Sequence, residues 1–440
     1  MYLPHRDRLF QKKRHRASPY VIALLIALIM ILLIILRDQQ EGRITPMFMA
    51  TPTATRTVDS FVQEAEVHFV AGDLTKTLDA FQNAAAVDPS NVDLWIELAR
   101  VQVYSTSSLT TSEEKYDRLH EALDSANRAI AIENENSTAH AVKAFTLDWL
   151  SSSALIGDER EQVLTQAEQE AVTALQLDAN NTLALAYYAE ILVDQLKWTQ
   201  AEQYIEQALQ RDDTLMDVHR INGYLQESIG NYSAAITEYK KASDINPNLT
   251  FLYLSIGVNY RQLEQYDFAL EYFAKAADIN EQLGIMDPIP YQSIAKTYVQ
   301  QGEPLVASLN ARKAVQIKPD DAFYYAFLGD VYHKSRNYEG EILAFQCGLE
   351  GCTAEESCEV RQCDPETDVM VAIEGLPLSV DTKDFYAEYG AVMAALHRDT
   401  NGYCSKAMQI LELVRSEFSD DAVIMGVVEE SEAICASYGY

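Results

Sequence analysis

Glycine is scarce in this 440-residue chain, 17 residues, about half the usual share. That scarcity argues against the glycine-rich loops of cofactor-binding folds and favours helices, which glycine weakens. Cysteine is missing from the first 346 positions; all six cysteines lie in the last 94 residues. Positive charge is missing where it would meet nucleic acid. Residues 1–43 carry a net +5, and the remainder carries −37 of the overall −32. A body this acidic argues against nucleic acid as a partner. Catalytic signatures are absent too: no H-E-x-x-H, no G-x-S-x-G and no P-loop. The eight histidines (His5, His15, His68, His120, His140, His219, His333, His397) form no close pair beyond the basic tail. Asp399-Thr400-Asn401-Gly402 starts like a calcium loop, but Tyr403 and the missing later Glu break the pattern, so it reads as an Asn-Gly turn.

What the chain has instead is a period. From Met216 to Asn280, Gly223 repeats as Gly257, Tyr232 as Tyr266, Ala235 as Ala269, Tyr239 as Phe273 and Ala242 as Ala276, each 34 residues on. Small residues at fixed helix contacts with an aromatic between them predict a pair of antiparallel helices per period. Pro247 ends the second helix of the first unit. Weaker copies run from Val58 to about Gly351. Two of them are lengthened, around Tyr104–Glu113 and Ser151–Asp158, where insertions map to the hairpin turns.

These residues resemble the tetratricopeptide repeat family. The resemblance implies an all-α, right-handed superhelical solenoid of antiparallel helix pairs, because one unit cannot bury its own apolar face. It also implies a concave groove lined from the second, fifth, ninth and twelfth positions of each first helix. On this chain those include Arg220, Tyr224, Leu254, Val258, Arg261, Gln292, Lys296, Phe323 and Asp330. The groove so drawn mixes aromatic and charged groups and suits a protein or peptide partner. Family members that clamp a terminal carboxylate place Asn at the ninth position. Here the ninth residues are Glu190, Tyr224, Val258, Lys296 and Asp330, so that subclass is not implied. His219 and His333 fall on first helices, with His333 expected on the groove side.

Ahead of the repeats, residues 1–18 form a basic tail and residues 19–37 a transmembrane anchor. Tyr20–Leu36 holds 17 residues without a charge, thirteen of them Val, Ile or Leu. Those thirteen favour insertion by about 4–8 kcal/mol. A signal peptide would be shorter and end in a small-residue site, whereas Arg37-Asp38 follows here at once. The basic flank predicts a cytoplasmic N-terminus and an extracytoplasmic body in a single-pass plasma-membrane protein. Ala23 and Ala27 offer a seat for a second anchor helix, hence a homodimer through the anchor. Residues 38–57 read as a Thr/Pro linker, 58–351 as a solenoid of about eight repeats, 352–380 as an irregular cysteine segment and 381–440 as a further helix pair with a capping helix.

The spacing C-x4-C-x5-C-x4-C of Cys347, Cys352, Cys358 and Cys363 is not that of a metal ribbon and points to disulfides, with three pairings open. Cys404 starts one predicted helix and Cys435 ends the next, which brings them together if the two are antiparallel. No metal and no cofactor is expected. The expected function is a non-enzymatic, membrane-anchored protein-interaction scaffold that assembles or tethers envelope proteins. Two rivals remain: an envelope enzyme or enzyme subunit with its site in 352–403, and a cleaved, secreted repeat protein. Asn136, Asn180, Asn231 and Asn248 sit in Asn-x-Ser/Thr sequences, relevant in a host that glycosylates.

Overall fold

The structure, a computed structural model, describes residues 18–40, 56–109 and 111–440, without the side chains of 35, 36 and 38–40. The basic tail up to residue 17 and linker residues 41–55 lie outside the described residues. The chain divides into two units, Met1–Arg56 and Thr57–Tyr440.

In the first unit, helix α1 spans Pro19–Gln40, and its described apolar side chains, Tyr20–Ile34, are exposed. Among the described residues no helix is long and apolar enough to cross a membrane, so the transmembrane anchor expected at residues 19–37 finds no support in the described structure.

The second unit is built from helix pairs. They are α2 (Val58–Ala71) with α3 (Leu74–Val87), α4 (Val92–Ser105) with α5 (Ser112–Ile132), α6 (Ser137–Ser151) with α7 (Arg160–Leu177), and α8 (Thr182–Asp194) with α9 (Trp198–Arg211). Then follow α10 (Met216–Ser228) with α11 (Tyr232–Ile245), α12 (Thr250–Gln262) with α13 (Tyr266–Leu283), α14 (Ile289–Gln301) with α15 (Pro304–Ile317), and α16 (Ala322–Lys334) with α17 (Tyr338–Phe345). Each helix packs on its hairpin partner, and each second helix packs on the first helix of the next pair. This is a tetratricopeptide-like solenoid.

Local chemistry sets the boundaries. Asn91, Asn136, Asn181 and Asp321 cap the starts of α4, α6, α8 and α16 by accepting backbone N–H groups. Thr111 and Glu114 form a reciprocal capping box on α5. The second insertion folds as a short 3-10 segment, Ala154–Glu159. The small-residue positions are close contacts: a methyl added at Gly257 would lie 2.5 Å from the Phe273 ring. Where the first helix of a hairpin ends, the chain turns through left-handed backbone. Gly72 does so with φ 83°, but Leu196, Glu264 and Arg336 do so at φ 60°, 57° and 60° without being glycine.

A second regularity recurs at one helix position, as at His219 and Tyr253, 34 residues apart. The fourth residue of several first helices reaches back six positions to a carbonyl in the preceding turn. Trp95 Nε1 donates to Pro89 O (3.0 Å), and the Tyr253 and Tyr325 hydroxyls donate to Pro247 O and Pro319 O (2.5 and 2.9 Å). His140 and His219 make the same contact to Asn134 O and Asp213 O, with their other ring nitrogens on Glu170 and Glu238. These histidines are straps between helices.

The array turns irregular after α17. One turn of π-helix, Gln346–Glu350, leads into strand β1 (Gly351–Cys352), which pairs antiparallel with β2 (Ile373–Glu374). The segment 352–380, read from sequence as irregular, thus contributes a strand, while α18 (Ala354–Arg361) fills the loop between. Disulfides join Cys347 to Cys352 and Cys358 to Cys363. Helices α19 (Lys383–Ala395) and α20 (Tyr403–Phe418) make one more hairpin. Helix α21 (Ala422–Ala436) packs across both, with Cys404 joined to Cys435 at a Cα–Cα separation of 5.4 Å.

Candidate functional site on the concave side

First helices of the repeats line the inner side of the solenoid, and their charged residues meet there. Arg220, on α10, is only 5% exposed. Its two Nη atoms donate to both carboxylate oxygens of Glu190, on α8, at 2.7 and 2.6 Å. The guanidinium also lies 5.3 Å from the Phe145 ring centre and 5.9 Å from those of Tyr104 and Trp149. Arg220 is therefore committed to the protein's own interior, not presented to a partner.

The second repeat reaches across to the fifth. Arg100 Nη2 lies 3.3 Å from Asp217 Oδ2, the Tyr104 hydroxyl donates to Asp217, and Tyr187 donates to Asp217 Oδ1 at 2.9 Å. Tyr104 also stacks on Phe251, with centroids 5.6 Å apart. Asn248 Nδ2 donates to Val70 O at 2.8 Å, so the sixth repeat touches the end of α2 as well. A side chain at Gly72 would overlap the Asn248 carbonyl. Between repeats two and six the groove is closed by its own side chains.

Beside this closure lies a cavity of about 300 Å³, bounded by Asp148, Asp194, Trp149, Tyr224, Tyr239 and Phe251. Asp148 is 1% exposed, and its Oδ1 has no hydrogen-bond partner among the described residues. Burial pushes the Asp148 carboxyl well above the usual range; Asp194 and Glu190 add to the shift, while Arg220 and Arg160 oppose it. Asp194 is raised by burial, against a hydrogen bond of 2.5 Å from the Tyr224 hydroxyl. Tyr224, drawn as a groove ligand, is tied down by that bond.

The remaining sequence-derived groove residues lie farther along. Leu254 and Val258 are half-buried and pack on the apolar cluster of Ala269, Phe273 and Ile294. Arg261 is half-buried, with Nη1 3.4 Å from Ser293 O and its guanidinium 5.6 Å from the Phe273 ring centre. Lys296 is exposed, 5.7 Å from the centre of Phe327. Burial lowers Arg261, and loss of hydration among crowding neighbours together with the Arg261 charge lowers Lys296. Among the described residues, neither has a carboxylate within ion-pair distance. Gln292 is half-buried, Phe323 packs against Tyr324 and Phe385, and Asp330 pairs with Lys334. His333 Nδ1 contacts the buried Glu341 at 3.0 Å, and that bond raises the histidine pKa.

A larger cavity, about 800 Å³, lies where the start of α5 and the Ser152–Ala154 turn approach Asp321, Phe323 and the segment 376–382. It is rich in Ser and Thr hydroxyls, with Lys115 at one side. Among the described residues no group of three or more His, Cys, Asp or Glu is arranged to hold a metal ion.

Sequence reading missed Asp148 and Asp194. Asp148 is the twelfth residue of α6 and was within reach of the same groove rule carried into the third repeat. Asp194, thirteenth on α8, falls outside the rule.

Residues 223–249 and 252–283 match the family profile described as tetratricopeptide repeat. No curated protein matches the chain. Among solved structures, a tetratricopeptide repeat protein from Parabacteroides merdae is similar over 62% of this chain and 97% of its own, at 17% identity and a TM-score of 0.36. A thermophilic tetratricopeptide repeat protein of Thermus thermophilus is similar over 46% and 98%, at 17% identity and 0.38. The APC/C hetero-tetramer Cut9–Hcn1 is similar over 70% and 54%, at 13% identity and 0.48.

Proposed function

We propose that the chain is a non-enzymatic protein-interaction scaffold, anchored in the plasma membrane by the apolar run read in its sequence, with the repeat unit outside the cytoplasm to assemble or tether envelope proteins. The observation that carries the scaffold reading is the array of helix pairs around Gly223–Leu283, where the family profile matches. The anchor rests on the apolar run Tyr20–Leu36 with its basic flank, and the orientation on that flank and on three cysteine pairs. A homodimer through Ala23 and Ala27 belongs to the same proposal.

Arg261 and Lys296 are the groove cations left for a partner, since Arg220 is neutralised internally. Converting Arg261 and Lys296 together to Glu should leave the circular dichroism spectrum unchanged and abolish capture of a crosslinked protein partner from membranes. Full retention of that partner would move the binding surface away from repeats six and seven. Thiol labelling of intact cells should find no reactive cysteine without reductant; labelling only after permeabilisation would reverse the topology.

The rival enzyme reading has one supporting feature, the contribution of Leu376, Ser379, Asp381 and Thr382 to the 800 Å³ cavity. The cysteine segment itself is pinned by two disulfides and a two-residue ribbon, and offers no nucleophile–base pair among its described residues.

A further inference from the structure

The cavity beside Arg220 has an unusual balance. Three carboxylates border it, Asp148, Glu190 and Asp194, against one cation. Arg220 forms a two-point ion pair with Glu190, which neutralises both. Among the described residues Asp194 receives only hydroxyls, from Tyr224 and, at 3.5 Å, from Ser152. Asp148 borders the same space, and its Oδ1, fully buried, has no donor among the described residues. A buried acceptor left unmatched is costly, and native structures retain few of them. Asp194 has no ion-pair partner among the described residues, so the group this space lacks is a cationic donor.

The walls specify the kind of cation. Trp149, Tyr224, Tyr239 and Phe251 surround the acids with aromatic surface. Ring faces attract organic cations and accommodate an alkyl chain, whereas a hydrated metal ion wants an oxygen cage. The volume, about 300 Å³, is at the small end of ligand sites and suits one side chain, not a cofactor. The bordering residues Ser152, Asp194, Phe251 and Ser255 are partly or fully exposed, so the cavity opens to solvent on their side.

We propose that this cavity is a recognition pocket for an alkyl cation, the lysine or arginine side chain of a protein partner, held by Asp148 and Asp194 between the rings of Trp149 and Phe251. The pocket adds partner chemistry to the scaffold reading and rests on it only for the identity of the occupant. The surrounding acidity, −37 over residues 44–440, would steer a basic partner toward it.

The test uses the full chain in detergent, titrated calorimetrically with n-butylammonium, with acetyl-Gly-Gly-Lys-Gly-Gly-amide and with the same peptide carrying norleucine. Saturable binding of the first two and none of the third is expected. Asp148→Asn should weaken both by about tenfold or more, while Asp420→Asn, on the surface, leaves them unchanged. No binding of either cationic probe, or equal binding by Asp148→Asn, overturns the pocket. Trp149→Phe is the second variant: it keeps the acids and should weaken butylammonium, and an unchanged affinity would overturn the aromatic contribution. Spermidine bound far more tightly than the lysine peptide would overturn the protein-side-chain assignment in favour of a free polyamine. Undiminished capture of a membrane partner by Asp148→Asn would overturn the pocket as the docking point and leave the scaffold reading standing.

Discussion

Asp148 and Arg220 show how differently buried charges behave at one site. Arg220 has a matched partner, and loss of Glu190 would leave it bare, which typically costs about 3–5 kcal/mol. Asp148 Oδ1 has no donor among the described residues, and burial raises its carboxyl, which works against folding at neutral pH. A carboxyl that binds its proton more tightly folded than unfolded loses stability as pH climbs from the unfolded value, about 4, toward the folded one. Asp148→Asn should therefore stabilise the protein at pH 7.5, by about 1 kcal/mol, and have no benefit at pH 4. Urea denaturation at the two pH values checks this. A residue that lowers stability while lining a cavity is the pattern expected of a binding site. The sequence named Arg220 as a ligand because its position on α10 was legible; its pairing with Glu190 was not, since that depends on how α8 and α10 cross.

At the scale of single elements, helix count and pairing were legible because the 34-residue spacing of Gly223/Gly257 and Tyr239/Phe273 encodes close helix contacts directly. The left-handed turn at Leu196 was not, because nothing in a leucine announces positive φ. Non-glycine residues in that region carry strain of about 1 kcal/mol or more. Leu196 is also 70% exposed, so little packing is lost on its removal. Leu196→Gly is expected to gain about 0.5–1 kcal/mol, read as a higher thermal midpoint. The Cys404–Cys435 bond closes a separation of 31 residues. Replacing both cysteines by serine should cost about 3 kcal/mol and loosen α21 from α19, seen as faster amide exchange confined to 383–436.

At the scale of the whole molecule, acidity and burial set a preferred pH. Burial pushes Asp287 up to about 6; burial with Asp330 nearby pushes Glu388 up to about 7. Both oppose folding as pH rises from about 4 through those values. Glu238 behaves in the opposite sense. Burial would raise it, but hydrogen bonds from His219 and Lys241 hold it down to about 2, so its contribution is present above about 4.5 and fades as pH falls toward 2. Relief of the −32 net charge also favours mild acid. Thermal stability should peak near pH 5 instead of pH 7.5, and a peak above pH 7 would contradict this balance. Which repeats meet across the concave side was illegible, because a repeat period fixes neighbours and leaves the superhelical approach of distant units unspecified.

That approach has a consequence for how the protein is made. Tyr104 and its acceptor Asp217 are 113 residues apart, and Asn248 lies 178 residues beyond Val70. At a synthesis rate of roughly 5–20 residues per second, about 6–23 s separate the emergence of Tyr104 from that of Asp217. Each early repeat can stack on its sequence neighbour as it appears, yet the inner faces of the first three stay open until the fifth and sixth arrive. Over that interval Arg100, Tyr104 and Phe145 are presented to whatever else the nascent chain meets, which is the period when this solenoid is most exposed to wrong partners.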